Sequence, residues 1–154
     1  MDRVEAALNA HGDSLMRVAY TYTKNMDDAR DMVQDVFVRY ITSAPEFMTP
    51  EHEKAWLIRV TINLCKNHLT SAYRKTYAEL DENMVVYDNY SSGLAEVVNS
   101  LDEKYRIVIH LYYYEGYSQK EIARIVRITE SAVATRLQRG RQLLKQKIGD
   151  DYFE

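Results

Sequence analysis

The chain is poor in the residues that interrupt or cross-link a fold. Its 154 residues include one cysteine, two prolines and five glycines. Cys65 is alone, so no disulfide can close within the chain, which agrees with a reducing cytoplasm. Cys65 reads as a small core residue. Few breakers leave long helical patterns uninterrupted, and no β alternation or internal repeat competes with them. No apolar run approaches the roughly 20 residues of a membrane span. The opening Met-Asp-Arg-Val-Glu has no secretory apolar region. Metal ligands are sparse: of His11, His52, His68 and His110, only His68 has Cys65 nearby, and two ligands do not make a metal site. No glycine-rich phosphate loop and no nucleophile–base pair is legible. An enzyme therefore finds no support, and no cofactor is implied.

What is present is helical periodicity and an uneven charge. Hydrophobic residues make up 46% and charged residues 28%, an ordinary soluble composition. The net charge is −3, but Tyr117–Lys147 carries eight basic and two acidic side chains, so this segment is +6 and the remainder −9. A basic C-terminal segment suits phosphates. The pattern predicts a short helix over 2–10 broken at Gly12, a second over 13–24, and a turn at Asn25–Asp27 with Asp27 as N-cap. A helix over 28–42 carries the stripe Ala29, Met32, Val33, Val36, Phe37, Tyr40 and Ile41. Pro45 and Pro50 bracket a loop. A helix over 51–75 has the core line Ala55, Ile58, Ile62, Cys65, Leu69 and Ala72, widened by Leu57 and Leu64. From Tyr77 to Gly93 periodicity fails and acids accumulate, as in a linker, which could span about 60 Å if extended. Helices over 94–100 and 102–114 follow, with Asp102 as N-cap. The expected fold class is all-α: two small helical domains, 1–76 and 94–150, joined by a flexible acidic linker at 77–93.

Residues 117–144 have the form of a helix-turn-helix. Ile122 and Ala123 fall on the inner face of a first helix, Val126 and Ile128 fill the turn, and Val133 and Leu137 return to the same core at a spacing of four. Thr129 can cap the second helix. Its outward face carries Thr135, Arg136, Gln138, Arg139 and Arg141. Such a donor-rich helix fits a major groove.

Beyond that motif, two N-terminal blocks carry a more specific signal. They are Ala19–Arg39, containing Asp-Met-Val-Gln-Asp-Val-Phe, and Ala55–Leu69, containing Trp-Leu-Ile-Arg-Val. Followed in order by Leu101–Leu144, they make nearly the whole chain resemble an extracytoplasmic-function (ECF) sigma factor of bacterial RNA polymerase. The resemblance implies a cytoplasmic initiation factor whose partners are core RNA polymerase and promoter DNA, with no insertion into the membrane. It also implies an anti-sigma factor, since members are commonly held inactive by one. The first domain would bind the polymerase clamp helices through Asp31, Gln34, Asp35, Val38 and Arg39. It would read and melt the −10 element through Lys54, Arg59, Asn63, Lys66, Asn67, Thr70 and Arg74, with a base-capturing pocket near Thr49–Lys54. Trp56 is assigned to the core rather than to base stacking. The second domain would dock on the polymerase flap and read the −35 element. There Ala134, Thr135, Gln138 and Arg139 would face bases, and Lys120, Arg124, Arg136 and Arg141 would contact phosphates. Tyr112, Tyr113 and Tyr114 are assigned to helix packing. Arg127 occupies a turn position where glycine is frequent, which implies either a turn without positive φ or a strained residue. The competing reading is a stand-alone helix-turn-helix regulator binding a symmetric operator as a dimer; the Gln34 face and the polar line on helix 51–75 argue against it.

Overall fold

The computed structural model describes the backbone of residues 2–75 and 97–148, and the side chains of 2–69 and 97–148. The described residues are helical with no strand. The chain divides into two compact units between Val85 and Val86. The expected linker at 77–93 lies outside the described residues.

In the first unit, α1 (Arg3–Thr23), α2 (Met26–Ser43) and α3 (Pro50–Lys75) pack against one another. Asp2 caps α1 by accepting from the Glu5 N–H at 2.8 Å. The helix runs unbroken through Gly12, against the expected break. A mid-helix glycine costs about 0.5–1 kcal/mol relative to alanine. Burial of Ala7, His11 and Leu15 on either side outweighs that cost. Lys24 ends α1 in the left-handed region, with φ 54°. The cap of α2 is Asn25, not Asp27: its side chain accepts from the Asp28 N–H at 3.0 Å.

The stripe from Ala29 to Tyr40 is buried as expected, but Ile41 is 66% exposed. Ile41 lies one turn beyond Phe37 at the edge of the stripe, past the point where neighbouring helices cover α2. Pro50 opens α3 at the position where its missing N–H costs nothing, and Thr49 Oγ1 accepts from the His52 N–H at 3.0 Å. Leu57, Ile58, Ile62 and Cys65 form the buried line of α3, whereas Ala55, Leu64 and Leu69 are half-buried. Ala72 lies outside the described side chains.

In the second unit, α4 (Glu103–Ile109) passes into a wider turn over His110–Tyr114, closed by Glu115 N–H donating to His110 O at 3.0 Å. A regular helix over 102–114 was the expectation. The widened turn lets buried His110 Nε2 meet buried Glu115 Oε2 at 2.9 Å. Asp102 stands at the N-cap position but makes no side-chain cap. Then come α5 (Gln119–Val126) and α6 (Glu130–Ile148).

Ser118 and Glu121 form a reciprocal capping box at the start of α5. Arg127 closes α5 at φ 63°, so the strained alternative holds, and its N–H donates to Ala123 O. Thr129 caps α6 through the Ala132 N–H at 3.0 Å. Ile122, Ile125, Val126, Val133 and Leu137 are buried. Ile125 takes the inner place expected of Ala123, which is half-buried. Gly140 lets α6 approach α4 closely: a Cβ there would lie 2.7 Å from Ile109 Cδ1 and 3.6 Å from Tyr105 Cβ.

Candidate polymerase and nucleic-acid interfaces

Helical spacing brings Asp31, Gln34, Asp35, Val38 and Arg39 to one face of α2, and all five are exposed. Val38 is 57% exposed, and Ile41 follows one turn later. An apolar strip beside two carboxylates is thus open to a partner. Ile41 also satisfies the core periodicity, and only the packing shows that it lies on the exposed side of the stripe.

On α3, Asn63, Lys66 and Asn67 are exposed, and Lys54 and Arg59 half-buried. The side chains of Thr70 and Arg74 lie outside the described residues. The loop before α3 is anchored from α1. Arg3 Nη2 donates to Pro45 O at 2.5 Å. Its guanidinium lies over the rings of Tyr40 and Phe47, at 5.0 and 5.6 Å from their centroids. Phe47 is stacked on Tyr40 and meets Trp56 edge-on at 5.7 Å. Half-buried Trp56 is therefore part of an aromatic cluster that fixes this loop. Glu53 ties the same region together: it accepts from Tyr40 Oη at 2.8 Å and contacts His11 Nε2 at 3.1 Å. Burial pushes the Tyr40 phenol above its ordinary pKa, with the Glu53 hydrogen bond and charge adding to it and Arg3 opposing. His11 and Arg3 carried no sequence signal for this role, because both come from α1.

On the helix-turn-helix, Lys120 and Arg124 are exposed on α5. Ala134, Thr135, Gln138, Arg139 and Arg141 are exposed on α6, on the side away from Val133, Leu137 and Leu144. Arg141 Nη1 donates to Tyr113 Oη at 2.7 Å. Tyr113 and Tyr114 are 56% and 49% exposed, so the expected packing role does not hold for either ring in full. Tyr114 still stacks on His110 at 5.1 Å. Arg136 is half-buried. It lines a cleft with Lys104, Tyr105, Ala132, Thr135 and Arg139. Lys104 lies at the start of α4, far from the motif in sequence, and no pattern singled it out.

Two family models match this chain. Sigma-70 region 2 matches residues 7–75, the span of α1–α3, and Sigma-70 region 4 matches residues 92–144. The RNA polymerase sigma factor SigV of Bacillus subtilis is 28% identical, over 88% of this chain and 84% of that protein. The ECF RNA polymerase sigma factor SigW of the same organism is 26% identical, over 93% and 87%. Among solved structures, CnrH in complex with the cytosolic domain of CnrY is 27% identical, with a TM-score of 0.69 over 94% of this chain and 86% of that one. RpoE of Bartonella quintana in complex with the anti-sigma factor NepR has a TM-score of 0.78 over 92% and 94%, and at 21% identity it speaks for the fold.

The paired helical units, one ending in an exposed basic recognition helix, are thus those of a sigma-70-type factor. The chain belongs to the ECF sigma factors of bacterial RNA polymerase, and its function is that of a sigma factor in transcription initiation. Among the described residues no helix is long and apolar enough to cross a membrane.

Proposed function

We propose that the two units divide the work of promoter selection, and that neither suffices without core polymerase. The α1–α3 unit binds polymerase through Asp31, Gln34, Asp35, Val38 and Arg39. Two carboxylates steer a basic helical partner, and the apolar atoms of Val38 hold it. The same unit reads the −10 element through Lys54, Arg59, Asn63, Lys66 and Asn67, with Thr70 and Arg74 further along α3. Capturing an unstacked base costs a few kcal/mol, which hydrogen bonds and stacking at the loop before α3 offset.

The helix-turn-helix unit reads the −35 element. Ala134, Thr135, Gln138 and Arg139 face bases, while Lys120, Arg124, Arg136 and Arg141 face phosphates. All bond-making belongs to the polymerase, and this chain does no covalent chemistry. An anti-sigma protein holds the chain in reserve in the cytoplasm; the complexes of RpoE and CnrH support that reading. The observation that carries the proposal is the contrast between the acidic, apolar face of α2 and the basic, donor-rich face of α6.

The test is capture of core polymerase by the purified chain, followed by run-off transcription. The expected result is a stable complex that starts transcripts at a defined position, together with weak promoter binding by the chain alone. Polymerase that ignores the chain, or tight operator-like binding by a dimer without polymerase, overturns it.

A further inference from the structure

The loop between α2 and α3 has little backbone support of its own. Among the described residues, no backbone–backbone hydrogen bond involves Pro45, Glu46, Phe47 or Met48. A backbone in that state samples many conformations unless side chains hold it. Two tethers do so here. One is Arg3, whose Nη2 donates to Pro45 O. The other is the ring of Phe47, half-buried between exposed Glu46 and exposed Met48.

Both tethers converge on Tyr40. The Arg3 guanidinium lies over the Tyr40 and Phe47 rings, and Phe47 is stacked on Tyr40 with centroids 6.3 Å apart. Tyr40 is buried, and its hydroxyl is fixed by Glu53, which also meets His11 from α1. Glu53 stands in the first turn of α3, where the helix dipole favours a carboxylate. The network thus joins all three helices to one side of the loop. The other side stays open: Met48 is 89% exposed, and Glu46 and Thr49 are exposed beside it.

Arg3 is the member of this network with the least to do in the core. It is exposed in the first turn of α1, and two of its three polar and ring contacts, Pro45 and Phe47, belong to the loop. Its loss therefore falls on the shape of the loop more than on the packing of the helices.

We propose that Arg3 is a positioning residue for −10 recognition. It touches no base. By fixing Pro45 and Phe47 it holds the loop in one conformation, whose open edge from Glu46 to Thr49 receives an unstacked base. A loop ordered beforehand spares the capture step the entropy of ordering it. The inference rests on the −10 reading proposed above and adds to it a residue of α1.

The test uses the full chain with core polymerase on pre-melted promoter fragments, so that duplex melting does not mask capture. Each −10 base of a promoter that the wild type transcribes is substituted in turn. Arg3→Met keeps the aliphatic stem and removes the donors and the charge. Its preference for the native base at the captured position should fall about tenfold, as expected for one charge-assisted hydrogen bond and its ring contacts. Capture of polymerase, closed-complex affinity on duplex promoter and the thermal transition of the first unit should stay near wild type. The salt dependence of binding should also be unchanged, because a positioning residue neutralises no phosphate.

A wild type selective at −10 whose Arg3→Met variant is equally selective overturns this inference alone. So does a salt slope flattened by about 0.9, which would make Arg3 a direct phosphate contact. A common loss of polymerase capture, duplex binding and thermal stability would make it a structural residue only, and overturns the inference as well. A wild type indifferent to every −10 base overturns the −10 reading and this inference with it.

Discussion

The α1–α3 unit and the helix-turn-helix unit are both small helical assemblies with apolar cores, yet they leave opposite chemistry on their surfaces. The first exposes Asp31 and Asp35 around Val38 and Ile41 on α2, the surface proposed above for polymerase. The second exposes Arg139, Arg141, Lys120 and Arg124, the surface proposed above for DNA. Their interiors differ as well. The first unit seals its α2–α3 loop with a polar and aromatic cluster of Arg3, Tyr40, Phe47, Trp56 and Glu53. The second brings helices into near contact through a glycine and accepts strain in its turn. If the loop captures an unstacked base as proposed, many weak anchors keep its shape. A recognition helix that must stand clear of its own domain needs a tight support behind it.

The contrast can be broken first at the cores. Leu57→Ala should cost the first unit about 2–5 kcal/mol, since Leu57 is fully buried, and lower its thermal transition while leaving the second unit's transition in place. One shared shift of both transitions, followed by probes in each unit, would show that the two do not melt separately. Gly140→Val is the mirror test. It forces a branched side chain against Ile109 and Tyr105 and should cost the second unit about 2–3 kcal/mol, with polymerase capture through α2 retained.

At the surface, Arg139→Ala should cost about 1–3 kcal/mol in promoter binding and relax choice at one −35 base pair, whereas Arg136→Ala should weaken all sequences alike. Equal losses from both on every promoter would refute the division into readers and clamps. Arg127→Gly should raise the second unit's stability by about 1 kcal/mol, because glycine adopts φ 63° without a Cβ penalty. A lowered melting temperature would mean that the Arg127 side chain holds more than its backbone costs.

The smallest effect concerns Tyr117. Burial, with the Glu115 and Glu121 carboxylates adding to it, pushes its phenol up to about 12. Between the ordinary tyrosine value near 10 and 12, the folded unit keeps a proton that the unfolded chain has released, so stability falls as pH rises through that window. Tyr117→Phe should lose that part of the alkaline slope, as read by chemical denaturation at pH 9 and pH 11. An unchanged slope would assign the effect to other groups.

Much of the architecture is written locally. The periodic stripe of α2, the buried line of α3, the Thr129 cap and the returning Val133 and Leu137 are all legible because each depends on residues a few positions apart. The departures share a different cause. Gly12 does not break α1 because buried neighbours outweigh its helix penalty, and Asn25 displaces Asp27 as a cap because the helix begins two residues earlier, at Met26. Ile41 fits the core period but lies beyond what covers it. The widened turn at His110–Tyr114 joins a histidine to a glutamate five residues on, a spacing that no helical pattern favours.

The sequence by itself determined the helical class, the basic recognition helix and the exposed acidic face of α2, because periodicity and charge along one helix are local properties. Only the tertiary structure decided that Arg3 anchors the loop before α3, that Gly140 sets the crossing of α6 on α4, and that Lys104 joins Arg136 at one cleft. Those contacts depend on where separate helices cross, and a crossing is fixed by the packing of all their side chains at once.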